Sequence, residues 1–509
     1  MLEILLTSLY ALLSLAIIYQ YSFFQLEGIS KKIIAASFIL KIIFGLALWW
    51  IYTYHYPDRS KADIYKYYDD SKPLYDLLFK DPISFLQILF GINNGPDNFH
   101  YIYEQMYNWY SPFATHIYNS NQAIIRINAV LRIFAFGCFN VHTVFFCFFS
   151  FIGQVAIYKT FYPYLSDKKW ALFAAVFLMP TVLFWGSGVL KEAIILFGLG
   201  IFVYSIHAII IYKKINLKLL LLLVFAVITI AIMKLYILIS LFPGVVFICI
   251  AKCFDYKFLI LKYISILALM VSMGYGIGKI SDNFNAAAML SFRQKDFYNT
   301  MRGGIYFQRF VNNSTQYDNI YFPAAKLSKF KNVEREDTIK INFTDTAYVW
   351  DVMTYNFIDT ILVSPSENIK YRLVMKDTIS GSGIHIPPLD PTYLSIIKNA
   401  PIAFVNTLAR PHPFEIDSLF SFMAAIENIL IEIFIIFCFF FIQKPTNEKR
   451  TIALFCFSFV LMLFILTGLV TPVIGAIVRY KMPALPFLVI ALLLIVDGNK
   501  VRSFCNKFI

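Results

Sequence analysis

Charged residues supply only 15% of this 509-residue chain and cysteine only seven positions, and both shortages exclude whole classes of protein. The cysteines fall in apolar runs or in short segments read as cytoplasmic, never in the long polar loops. That argues against a disulfide framework, and no pair has the spacing of a zinc or redox motif. The fingerprints of common soluble enzymes are missing as well: there is no Walker loop, no dinucleotide fingerprint after a strand, no HExxH and no G-x-S-x-G elbow. The seven histidines are scattered, and no internal repeat is visible. What fills the chain is apolar: 59% hydrophobic residues and a mean hydropathy of +0.66, well above the roughly half expected of a globular protein. Composition therefore predicts a polytopic membrane protein. Its 53 Phe and 33 Tyr suit lipid-facing and interfacial positions. The formal charge of +13 is read as lysine retained in cytoplasmic loops, with membrane lipid and not nucleic acid as the partner.

A membrane span needs about 20 apolar residues. Runs of that kind lie near 2–23, 33–54, 141–161, 170–186, 191–212, 217–233, 235–250, 258–277, 419–442, 451–470 and 482–496, which predicts about 11 transmembrane helices. The first run has no basic segment ahead of it and no small-residue cleavage site, so it reads as a retained span. Every second short loop is basic: Lys31-Lys32, Lys168-Lys169, Lys213-Lys214, Lys252 with Lys257, and Lys444 with Lys449-Arg450. Placing these in the cytoplasm puts the N-terminus outside, the C-terminus inside, and two long polar segments, 55–140 and 279–418, on the outer face of a bacterial inner membrane. The stretch from Leu217 to Ile250, with Lys234 inside it, is too long for one span and short for two; the alternation of lysines favours two.

The expected fold class is therefore an all-α polytopic membrane protein. An N-terminal bundle over 1–278 includes the first outer loop, 279–418 forms an outer-face loop or small mixed domain, and 419–509 forms the last helices and a cytoplasmic tail. Apolar residues recur at helical spacing from Leu74 to Leu89 and from Ile124 to Phe136, which predicts interfacial helices in the first outer loop. The second outer segment holds one candidate strand, Thr338 to Phe343.

Chemistry is sought where charge meets the membrane, because ionisable groups at that depth are costly and mark sites. Lys191 and Glu192 interrupt an apolar hairpin just after Pro180 and the Gly186-Ser187-Gly188 turn. Asp63, Asp69 and Asp70 cluster right after a span, and Arg410, Arg479 and Lys481 stand at other membrane boundaries on the same expected face. A carboxylate serves as a general base or holds a divalent cation, and Lys and Arg hold a phosphate. Asp63 is the candidate catalytic residue, with Asp63 or Asp70 as the ligand of any metal. Asp69, Asp70, Lys191, Glu192, Arg410, Arg479 and Lys481 are candidate substrate contacts. Each has a plainer explanation beside it: a solvated helix face for the aspartates, a helix cap for Lys191-Glu192, snorkelling anchors for Arg479 and Lys481, and a rigid connector around Arg410.

These motifs together resemble bacterial integral-membrane glycosyltransferases of the GT-C superfamily. The resemblance rests on Asp63 in KADIY, on Pro180, Phe184, Trp185, Ser187, Gly188, Lys191 and Glu192 in the hairpin, and on Arg479, Tyr480 and Pro483 in RYKMPALP. It implies transfer of a sugar from a polyprenyl-phosphate donor to a glycan, lipid or protein acceptor. In that family plan the catalytic carboxylate follows the first span; here the candidate follows the second, which implies an added N-terminal helix. Two other functions stay open: a polysaccharide polymerase or ligase using a lipid-diphosphate donor, and a transporter or flippase of lipid-linked sugar.

Overall fold

A computed structural model describes all residues except 57, 58, 60, 61, 94, 96, 111–119, 254, 255, 282, 283, 312–316, 335, 336, 352–355, 417 and 506–509. The helices, in chain order, are α1 (Leu2–Gln20), α2 (Lys31–Tyr54), α3 (Asp63–Lys80), α4 (Pro82–Phe90), α5 (His100–Tyr103), α6 (Ser120–Ala135), α7 (Phe139–Leu165), α8 (Lys169–Phe173), α9 (Pro180–Trp185), α10 (Lys191–Ile210), α11 (Leu217–Cys253), α12 (Leu259–Ile280) and α13 (Ala286–Arg302). After a sheet come α14 (Tyr393–Ala409), α15 (Leu419–Phe440), α16 (Asn447–Val470), α17 (Ile474–Lys481), α18 (Leu485–Ile495) and α19 (Gly498–Cys505). Nine helical stretches among the described residues are long and apolar enough to cross a membrane. The chain is thus a polytopic membrane protein in its helical part.

It is not all-α. Six strands, β1 (Gly304–Val311), β2 (Tyr317–Phe322), β3 (Thr338–Ile339), β4 (Asp345–Asp351), β5 (Asn356–Val363) and β6 (Ile369–Asp377), form one sheet in the order β3-β6-β1-β2-β4-β5. The chain divides into two compact units: 1–270 with 411–464 and 478–509, and 271–410 with 465–477. The sheet belongs to the second. All its pairings are antiparallel, so a few short connections suffice. One face is closed by Phe307, Phe322, Phe330, Tyr371 and Leu373, all buried. Within the same unit Gln294 of α13 donates to the carbonyls of Pro387 (2.9 Å) and Leu469 (2.7 Å) and accepts from the Leu389 amide (2.8 Å), so one side chain ties three segments.

In the first unit, glycine sets the spacing between α7 and α10. A Cβ on Gly200 would sit 2.0 Å from the Gly153 carbonyl oxygen, and one on Gly153 would sit 2.0 Å from that of Leu196. The two backbones touch, as small residues permit in membrane bundles. The loop helices also fold into this unit: Arg132 of α6 reaches the Ser71 hydroxyl (2.7 Å) and the Tyr68 carbonyl (2.6 Å) of α3.

Three helical runs are interrupted. The run after Lys169 passes through a π-helical stretch at Ala174–Leu178 and restarts at Pro180, where the missing N–H costs nothing at a helix start. The run from Ile474 tightens at Met482–Ala484. The third, α11, breaks at Lys234, whose φ of −153° and ψ of 90° are not helical. Lys234 pairs with Glu192 at the start of α10. Lys252, further along α11, pairs with Glu448 (3.3 Å). The break at Lys234 divides α11 into two helical segments.

Candidate functional site

The first residue of α3 is Asp63, placed in the first turn where a carboxylate suits the positive helix end. Its Oδ2 accepts from Arg479 Nη1 of α17 at 2.5 Å, and its Oδ1 stands 3.6 Å from Lys66 Nζ. The other side of the guanidinium, Nε, is 2.7 Å from Glu192 Oε1 of α10. Lys234, at the break in α11, donates to that same oxygen at 2.7 Å. A continuous chain Lys66, Asp63, Arg479, Glu192, Lys234 thus joins four elements that are far apart in sequence. The Glu192 side chain is fully buried, while that of Asp63 is 35% exposed.

Lys191 borders this chain without a carboxylate partner: its Nζ donates to Ser120 Oγ (2.7 Å) and Asn121 Oδ1 (2.6 Å) and lies 4.9 Å from the Tyr67 ring centroid. Aromatic rings line the rest. Lys234 lies over Tyr480 at 3.9 Å and Arg479 over Trp185 at 5.7 Å, distances at which the ring quadrupole attracts a cation. The cluster holds two carboxylates against four basic groups.

Burial alone would raise the Asp63 carboxyl, but Arg479, Lys66 and Lys191 outweigh it and hold the group well below the usual carboxylate range. Asp63 is therefore an anion clamped by a guanidinium, and not the loosely held loop residue that its sequence position implied. A base works best with a pKa near the working pH, so Asp63 gains basicity only when Arg479 is drawn to another anion.

The other sequence candidates lie elsewhere. Asp69 forms an exposed bidentate pair with Arg59, 2.7 Å on both arms, of a kind that contributes at most about 1 kcal/mol. Lys481, two residues beyond Arg479, donates to Asn428 Oδ1 (2.8 Å) in a separate buried knot where Glu427 accepts from the Thr181 hydroxyl and amide. Arg410 closes α14 in the second unit, its amide on the Asn406 carbonyl at 3.1 Å. Among the described residues no three His, Cys, Asp or Glu side chains are placed to hold a metal ion. Asp63 and Glu192 are instead bridged by a guanidinium. Sequence reasoning missed Lys234 as a member of the cluster; its signal was a lone charge within a long apolar run.

Asp70 is 3% exposed and accepts the Asn108 amide at 2.6 Å, which holds the segment after α5 against α3. Burial pushes its carboxyl from 3.8 to about 6, against the pull of the Asn108 and Tyr107 hydrogen bonds. A pKa raised on folding gives stability that is fully present below about 3.8 and is lost as pH rises through about 6. The loss amounts to on the order of 3 kcal/mol. After correction for the intrinsic base-catalysed rise of exchange with pH, amide protection in residues 104–110 is expected to fall between pH 5 and 7 in the wild type and to stay level in Asp70→Asn. Equal protection at both pH values in the wild type would overturn this.

Comparison of the chain with protein-family models, curated proteins and solved structures returns no match.

Proposed function

We propose that this protein is a membrane glycosyltransferase that moves a sugar from a polyprenyl-phosphate donor to a glycan, lipid or protein acceptor. The observation that carries the reading is the Asp63–Arg479 pair (2.5 Å) set in a cluster with more bases than acids. A phosphate entering there competes with Asp63 for Arg479 and meets Lys191, whose present partners are neutral oxygens. Released from the guanidinium, Asp63 becomes basic enough to take a proton. The acceptor hydroxyl oxygen then bonds to the anomeric carbon as the bond from that carbon to the phosphate oxygen breaks. The acceptor proton goes to Asp63, and the phosphate leaves on the lipid. The alternating basic loops support a site on the outer face of a bacterial inner membrane.

The test is transfer of radiolabelled sugar from a polyprenyl-phosphate donor by the purified protein in nanodiscs. Asp63→Asn is expected to slow transfer at least 100-fold, since a positioned base contributes about 10²–10⁴. Wild-type rates in Asp63→Asn would remove Asp63 from the chemistry.

The excess of bases also favours a second reading, a polymerase or ligase with a more highly charged lipid-diphosphate donor. Lipid-linked repeats in a deletion strain separate the two: single complete units for a lost polymerase, truncated units for a lost transferase. Movement of lipid-linked sugar across the bilayer without covalent transfer would replace both with transport.

A further inference from the structure

Lys41 lies deep in α2, only 1% exposed, and its Nζ is buried with no hydrogen-bond partner in the protein. It abuts the turn before α10, where a Cβ on Gly186 would approach the ammonium to 3.3 Å. Facing it, α7 presents Thr143, Cys147, Ser150 and Gln154, whose spacing of four, three and four residues puts them on one helix face. The Cys147 thiol donates to the carbonyls of Lys41 (3.6 Å) and Ser187 (3.1 Å), which turns that face toward Lys41. One turn to either side, Thr143 Oγ1 and Ser150 Oγ are also buried without a partner. Both residues are at most 1% exposed.

Buried polar groups are almost always satisfied, and each exception calls for a cause. Here the unmatched groups are the Lys41 cation and, on the α7 face, two hydroxyls and the Gln154 Oε1 acceptor. Water can satisfy hydroxyls but leaves a buried charge uncompensated, and buried charges are ordinarily paired. From this we infer that Lys41 holds a small inorganic anion of halide size between α2 and α7. Tight packing argues against a larger guest such as phosphate: a Cβ on Gly45, one turn along α2, would meet the Ser187 carbonyl oxygen at 2.6 Å and the Thr143 methyl at 2.7 Å. The anion is distinct from any donor phosphate at Arg479, and the inference does not depend on glycosyl transfer.

The experiment compares thermal melting of the purified full chain in sodium chloride and in sodium gluconate at equal ionic strength. In the wild type chloride is expected to raise the melting temperature by about 2–4 °C, as a ligand of the folded state does. Lys41→Met is expected to lose that response and to melt in gluconate no lower than the wild type. Crystals of the wild type grown in bromide should show an anomalous peak beside Lys41 Nζ, which decides the matter if Lys41→Met does not fold. No halide response in the wild type, an equal response in Lys41→Met, or a bromide map without that peak each overturns the inference.

Discussion

Arg479→Ala is expected to lower folding stability by about 3–5 kcal/mol, the range found when one partner of a buried ion pair is removed. The reason is the position of its guanidinium between Asp63 (2.5 Å) and the buried Glu192 (2.7 Å). With it gone, two carboxylates face each other and Lys66, at 3.6 Å, Lys191 and Lys234 remain to offset them. Read from sequence alone, Arg479 is a phosphate contact whose loss weakens donor binding more than it slows chemistry. The structure makes it a keystone as well. Adding Glu192→Gln to Arg479→Ala should recover part of the loss, because one of the two stranded charges disappears. Thermal melting in nanodiscs measures both variants. A melting temperature within a degree of wild type for Arg479→Ala would show that the pair is not formed.

Gly200→Ala is expected to be nearly as damaging, although it adds a single methyl group to a helix. The added carbon would lie 2.0 Å from the Gly153 carbonyl oxygen, and the obstacle is backbone, so no side chain can swing aside. Overpacking a core costs typically 1–3 kcal/mol, and separating α7 from α10 to make room breaks contacts along the whole helix pair. Gly276→Ala is the control: nothing lies within 4 Å of a Cβ there, and alanine in a helix is favoured over glycine by roughly 0.5–1 kcal/mol. Size-exclusion profiles and melting of the two variants should diverge sharply. Equal melting temperatures would mean that α7 and α10 are not in backbone contact.

Much of the fold and part of the site were legible in the sequence, for reasons that differ by element. The long apolar runs are read by length alone, and α6 by helical spacing of its apolar residues; the same spacing from Leu74 to Leu89 falls on two helices, the end of α3 and α4, split at Asp81. Asp63, Lys191, Glu192 and Arg479 stood out because charge beside apolar sequence is rare, and they do come together. Lys481 carried the same signal and joins a different knot. Two residues of helix rotate a side chain by about 200°, so it leaves the helix on the side away from Arg479, toward Asn428. Lys234 was visible as a charge but not as a neighbour, since nothing local tells that a break in α11 returns it to Glu192. The sheet was read least well. Its strands alternate poorly: β5 is exposed over most of its length, and the segment taken as a strand from Thr338 to Phe343 pairs only at Thr338 and Ile339.

The distance in sequence between Asp63 and Arg479, 416 residues, also has a meaning in time. At synthesis rates of about 5–20 residues per second, roughly 20–80 s pass between the emergence of the two. During that interval the aspartate has Lys66 for company and Glu192 has Lys234, but the group that joins the two pairs has not been made. The earlier helices can therefore pack, as α7 and α10 do, before the group that ties the two pairs together exists. A nascent chain halted before that point would hold each carboxylate by a single lysine, whereas the finished chain places Arg479 between them.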